Sequence, residues 1–129
     1  MRETFNELDA ALRNISRKTA DAVIFSGEIF FLAHKREIAD AMRQAGLPAC
    51  FAYREYHEVR VLMSYGPSNN DMMRHIASYV DRTLKGAKPS DLPIEQLSKY
   101  ELIINLRAAH ELGIKVPQDL LLRADEVIQ

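Results

Sequence analysis

Two short apolar runs, DAVIFS at residues 21–26 and PACFAY at 48–53, constrain this chain more than any other feature in it. Neither alternates apolar with polar, so neither suits a strand with one wet face. Continuous runs of this length fit strands buried on both faces of a parallel sheet. Each follows a stretch of helical periodicity. Residues 4–18 open with Thr4 and Glu7 at capping-box spacing and carry Phe5, Leu8, Leu12 and Ile15 along one stripe. Residues 28–45 carry Phe31, Ile38, Ala41, Met42 and Ala45 on one side, and Gly46 closes them. Helix, strand, helix, strand with short turns leads to right-handed crossovers and a parallel sheet covered by helices.

The rest of the chain extends that pattern. REYHEVR, residues 54–60, is polar and aperiodic and reads as a loop with at most one helical turn; residues 61–65 form a third strand. Ser68 is placed to cap a helix whose apolar face is Met72, Met73, Ile76, Ala77, Val80 and Leu84, with the Met72-Met73 pair assigned to the core. Gly86 suits the left-handed residue that ends a helix, and Pro89 and Pro93 forbid its continuation. A long connector then leads to a strand at residues 100–104, where Ile103 and Ile104 are β-branched. A short helix over 105–112 ends at Gly113, and Pro117 opens a last helical segment reaching Arg123. The predicted fold is a single α/β domain over residues 1–129, a three-layer α-β-α arrangement with a mostly parallel sheet of about four strands.

In an open sheet of this kind ligands bind beyond the carboxyl ends of the strands. Three turns stand there: Ser26-Gly27-Glu28, Tyr53-Arg54-Glu55, and the turn from Tyr65 through Gly66 and Ser68 to Asn69. Their hydroxyls, amide, guanidinium, two carboxylates and two aromatic rings form recognition chemistry for a small polar or zwitterionic solute. The candidate binding residues are Ser26, Gly27, Glu28, Tyr53, Arg54, Glu55, Tyr65 and Asn69. Helix N-termini at Glu28 and Asn69 add unpaired N–H donors for an anionic group.

Catalysis finds little support. His34, His57, His75 and His110 are scattered, with His34 and His75 on the solvent sides of their helices, and neither His57-Glu58 nor His110-Glu111 extends into the His-Glu-x-x-His zinc pattern. No Gly-x-Ser-x-Gly turn, Walker loop or Gly-x-Gly-x-x-Gly is present, so no catalytic residue, metal site or cofactor is assigned. Tyr56, Tyr79 and Tyr100 have no stacking platform implied by their spacing. Seventeen basic against 18 acidic residues, for a net charge of −1 over 129 residues, leave no basic footprint for nucleic acid. The one cysteine, Cys50, reads as a small hydrophobe buried in its strand. No apolar run is long enough to span a bilayer. The first residues, MRETFNELDAALR, lack the order of a signal peptide, so the chain is expected to stay in the cytoplasm or to be a piece of a longer exported protein.

The segment from Leu84 through Gly86, Pro89 and Pro93 to Gln96, then Tyr100-Glu101-Leu102-Ile103-Ile104-Asn105, resembles the closing segment of ABC-transporter substrate-binding proteins of the tryptophan-binding-lipoprotein type. Arg54-Glu55 and Leu62-Met63-Ser64-Tyr65-Gly66 are similar to the same family. The resemblance implies one lobe of a type 1 periplasmic binding protein. It also implies binding of an amino acid or similar solute without catalysis, with an ABC permease as partner and a periplasmic location. In relatives an Asp-containing turn facing the ligand stands at the position of Ser26 to Glu28, and the position of Arg54-Glu55 lies near the cleft mouth. Many relatives have a glycine pair where this chain has Arg60-Val61, so the loop before the third strand is expected to be reshaped. Family members are more than twice as long, and the first lobe and the opening strand and helix of the second have no counterpart here. A sheet short of a strand exposes an unpaired edge, and a second copy covering it would give a homodimer. The other readings are a self-associating interaction or regulatory domain that has lost transport, and a small α/β enzyme with an unrecognised site.

Overall fold

The structure, a computed structural model, describes residues 2–94 and 99–129, with side chains from Asn6 onward. Helix α1 (Arg2–Asn14) leads to β1 (Val23–Ile24), and α2 (Ile29–Ala33) and α3 (Lys35–Ala45) to β2 (Ala49–Phe51). A 3-10 segment (Arg54–Val59) precedes β3 (Met63–Pro67). Then come α4 (Asn69–Leu84), a 3-10 turn (Pro89–Asp91), β4 (Tyr100–Asn105), α5 (Leu106–Glu111), α6 (Gln118–Arg123) and β5 (Glu126–Ile128). Among the described residues the sheet has five strands in the order β1-β2-β3-β4-β5. Strands β1, β2 and β3 are parallel, β4 runs antiparallel to β3, and β5 is parallel to β4, so the sheet is mostly parallel and flanked by helices.

The core lies on one face of β1 to β3. Leu8 and Leu12 of α1 and Ile38, Ala39 and Met42 of α3 pack on Phe25, Ala49 and Phe51. The Phe25 and Phe51 rings stack at 4.9 Å, and Phe31 meets Phe25 edge-on at 5.7 Å. The other face reads differently. Ile24, Cys50, Met63, Ile104 and Val127 are register partners in one row across the sheet. Ile104 in that row is buried, Cys50 and Met63 are half-buried, and Ile24 on the edge strand is 83% exposed. Cys50 therefore points away from the core cluster, whereas the apolar run around it had placed it inside.

Several boundaries differ from the sequence expectation for identifiable reasons. The helix expected over 28–45 breaks at His34, whose φ of −108° and ψ of 27° leave the helical region while its N–H closes a tight bond to Phe31 O at 3.2 Å. The stretch read as a polar loop is the six-residue 3-10 segment, because Tyr56 within it is only 1% exposed and stacks on Phe51 at 4.2 Å. Tyr56 thus has the ring partner its spacing did not suggest. Strand β3 begins two residues late, since Arg60 takes φ 57°, ψ 50° and Val61 is spent as a buried core residue. Arg60 itself adopts the left-handed conformation that favours glycine. Strand β5 lies beyond the expected last element; Asp125 pins it by exchanging bonds with Leu102, N–H to carbonyl and carboxylate to N–H, both at 2.8 Å. Thr4 lies inside α1 and not at its cap, and the side chains of Thr4 and Phe5 fall outside the described residues, as do Glu95 and Gln96 of the connector.

Helix α4 departs most from its expected setting. Ser68 caps it as foreseen, accepting from Asp71 N at 3.4 Å, and Gly86 at φ 99° ends it in a Schellman turn with Ala87 N bonded to Arg82 O at 3.0 Å. Yet none of its residues is buried, and Met73, far from being core, is exposed. At the opposite extreme, Gly66 passes so close to β2 that an added Cβ would lie 1.8 Å from Ala52 O.

Three outcomes follow from these packings. Gly66→Ala forces β3 off β2 and is expected to cost about 3 kcal/mol, read as a lowered denaturation midpoint. Arg60→Gly relieves a left-handed residue and is expected to stabilise by about 1 kcal/mol in the same measurement. The third concerns His57, whose Nε2 lies 3.0 Å from the buried Ser64 hydroxyl. Burial, more than the neighbouring Arg54, holds its pKa below the ordinary 6.5, against the pull of Glu126. The unfolded chain then takes up the proton first as pH falls, so the contribution is intact above about pH 6.5 and lost below it. The melting temperature should drop more steeply from pH 7 to pH 5 in the wild type than in His57→Asn.

Candidate functional site

Because β1, β2 and β3 run the same way, their carboxyl ends reach one rim, and the three turns open there. Side chains tie the turns in pairs. The Tyr53 hydroxyl crosses from the second turn to donate to Gly27 O at 2.5 Å. Asn69, in the first turn of α4, donates through Nδ2 to Glu55 Oε1 at 2.7 Å. Ser26, Gly27 and Glu28 line the outer end of the rim, exposed to solvent.

The 3-10 segment is the hub of this rim. Lys35 of α3 forms an ion pair with Glu58 and reaches Glu55 O at 3.5 Å. Arg54 bridges to Glu101 at 3.3 Å and to Glu126 at 3.0 Å, so its guanidinium leans over β4 and β5. Glu101 and Glu126 were not foreseen as site neighbours. They lie 47 and 72 residues from Arg54, and no local pattern could have paired them.

Three buried polar atoms of this segment have no hydrogen-bond partner among the described residues: Glu55 Oε2, Tyr56 Oη and His57 Nδ1. Burial, with the nearby Tyr53 second, pushes the Tyr56 phenol up to about 12, so it stays a neutral donor. Leaving buried polar groups unmade is costly, and orphans of this kind are usual where a water or ligand completes the network.

Tyr65 does not join the set. Along β3, Ser64 and Gly66 are buried while Tyr65 between them is 56% exposed, so its ring lies on the other side of the sheet, where it stacks on Tyr100 at 5.6 Å. Strand alternation was the available signal: Tyr65 cannot share a face with Ser64 or Gly66. Tyr100, too, has a ring partner that spacing had not suggested. Among the described residues no group of three His, Cys, Asp or Glu side chains is placed to hold a metal ion, and no helix is long and apolar enough to cross a membrane.

The arrangement is recognised in known proteins. Three solved structures match it with high overlap. A conserved domain protein from Vibrio cholerae has a TM-score of 0.85 at 26% identity, covering 95% of this chain and 41% of that one. An ABC domain in complex with L-Trp from Streptococcus pneumonia has a TM-score of 0.79 at 24% identity, covering 93% and 40%. A ligand-free, open substrate-binding protein with adhesive properties from Clostridium difficile has a TM-score of 0.65 at 16% identity, covering 96% and 41%. The latter two, below 25% identity, show the fold alone. This chain thus spans about two-fifths of the length of the structures it matches. No curated protein matches it. Over residues 1–128 the sequence matches the family of ABC transporter substrate binding proteins, and the chain belongs to that family.

Proposed function

We propose that this domain is the solute-binding part of an ABC importer receptor, taking an amino acid or similar small organic solute at the rim of β1 to β3 without catalysis. Ser26, Gly27, Glu28, Tyr53, Arg54, Glu55 and Asn69 line that rim, and Tyr65 takes part only by backbone or by turning its ring. The carrying observation is Glu55. One carboxylate oxygen is fixed by Asn69, while the other is buried without a partner among the described residues. A solute ammonium would supply the charged N–H donor that this carboxylate oxygen lacks. The Streptococcus pneumonia structure, solved with L-Trp, makes tryptophan the first solute to try. An ABC permease is the partner, and the site of action is outside the cytoplasm.

A second reading is favoured by a different observation. Ile24 at the sheet edge and the apolar side of α4 stand in solvent, which suits a self-associating interaction domain. A homodimer is compatible with both readings.

Thermal unfolding with L-tryptophan and a panel of amino acids separates them. A bound solute at a hundredfold excess over Kd adds ~2.7 kcal/mol and raises the melting temperature. Glu55→Gln should weaken the affinity about tenfold or more, since it removes a charged acceptor, and so cut the stabilisation at the same solute concentration to about half or less. A panel that leaves the melting temperature unmoved, with the chain still self-associating, would discard the receptor reading for the interaction domain.

A further inference from the structure

At the pole of the sheet opposite the rim lies a cavity of about 150 Å³, set between α3 and α5 at the amino ends of β2 and β3. Its inner wall is apolar and buried: Met42 of α3, Leu47 before β2, Phe51 within it, Val61 ahead of β3 and Ala108 of α5. An apolar cavity of this volume takes one benzene-sized ring. The candidate binding turns stand at the other ends of the same strands, and the two places share no residue.

Charge sets this cavity apart from a packing defect. Arg17, Arg43 and Arg60 line it against Glu111, the one carboxylate among the described residues of its wall. All four are exposed while the apolar wall is buried, so the charge stands at the mouth. Arg43 is engaged, donating from Nη1 to Asp40 Oδ1 at 2.6 Å and from Nη2 to Val59 O at 3.1 Å. Arg17 is held by a single bond, Nε to Gly46 O at 2.9 Å, which positions its guanidinium and leaves both Nη groups without a partner among the described residues. The Arg60 side chain makes no hydrogen bond or ion pair among the described residues. Arg60 also reaches the mouth from a backbone φ of 57°, a conformation that costs any residue other than glycine. Strained residues of this kind cluster at ligand clamps.

An anion with a flat apolar body matches both halves of the cavity. A carboxylate fits the planar fork of a guanidinium, and a single ring fits the volume behind it. Phosphate alone would leave the apolar wall unused, and an amino acid would bring its ammonium against the arginines. We propose that this cavity is a second binding site, for a small aromatic carboxylate whose ring lies on Met42, Phe51 and Val61 and whose carboxylate meets Arg17 and Arg60. The site is independent of the rim and of the solute taken there.

Calorimetric titration of the chain with benzoate, benzyl alcohol and inorganic phosphate tests it. Benzoate is expected to bind one to one, benzyl alcohol about tenfold more weakly for want of the charge-assisted bonds, and phosphate not measurably. Arg60→Gly should raise the melting temperature of the free chain yet weaken benzoate about tenfold, opposite signs that a general folding defect would not give. Arg17→Gln should weaken benzoate as much. Benzoate is also expected to move the amide resonances of Val61, Leu62 and Ala108. No benzoate binding at about 10 mM overturns the proposal. So does benzyl alcohol binding as tightly as benzoate, which would make the cavity an apolar void only, or phosphate doing so, which would make it a general attraction to the arginines. Resonance shifts centred on Glu55 and Asn69 would overturn it by moving benzoate to the rim. L-Tryptophan titrated into Arg60→Gly reports on the rim alone, so either reading can fail without the other.

Discussion

The ring of Tyr56, stacked on Phe51 and shut away from solvent, is the contact on which the rim depends. It fastens the 3-10 segment to the sheet at the point where β2 ends. From that anchor Arg54 and Glu55 project on one side and His57 turns under to Ser64 on the other. Without it, a polar hexapeptide would have no reason to prefer one course over another, and the bonds to Asn69, Glu101 and Glu126 would have no fixed origin. The anchor also has a cost. Burying the ring buries its hydroxyl, and the orphaned phenol, imidazole nitrogen and carboxylate oxygen are neighbours in sequence because one aromatic residue carried all three inward.

Much of this was legible in the sequence. DAVIFS and PACFAY announced parallel strands with their turns at one rim, Ser68 and Gly86 marked the ends of α4, and the resemblance over Arg54-Glu55 and the closing segment pointed to the family that residues 1–128 match. What escaped was non-local. Periodicity shows that Met73, Ile76 and Val80 share a side of a helix, but not whether anything lies against it. Tyr56 looked like part of a polar loop because its partner ring is on another element. Strand β5 is three residues long, and only its pairing with β4 makes it a strand.

The two faces of the sheet show how unevenly the chain spends its apolar residues. On one face α1 and α3 close over Phe25 and Phe51. On the other, a single row runs from buried Ile104 through half-buried Met63 and Cys50 to exposed Ile24 on β1. A sheet edge so bare is short, and brevity is itself a defence against unwanted strand pairing.

The reversal at β4 has a consequence for the architecture. Pro67 and Tyr100 are cross-strand partners, and Ser68 N–H bonds to Lys99 O at 3.2 Å, so the chain departs from the sheet and re-enters it at a single doorway. Everything between is an excursion whose removal, with a tight turn in its place, would leave every strand with its neighbours. The excursion is still tied to the rim through Asn69, whose side chain holds Glu55, so exchanging or lengthening it also resets the carboxylate at the candidate site.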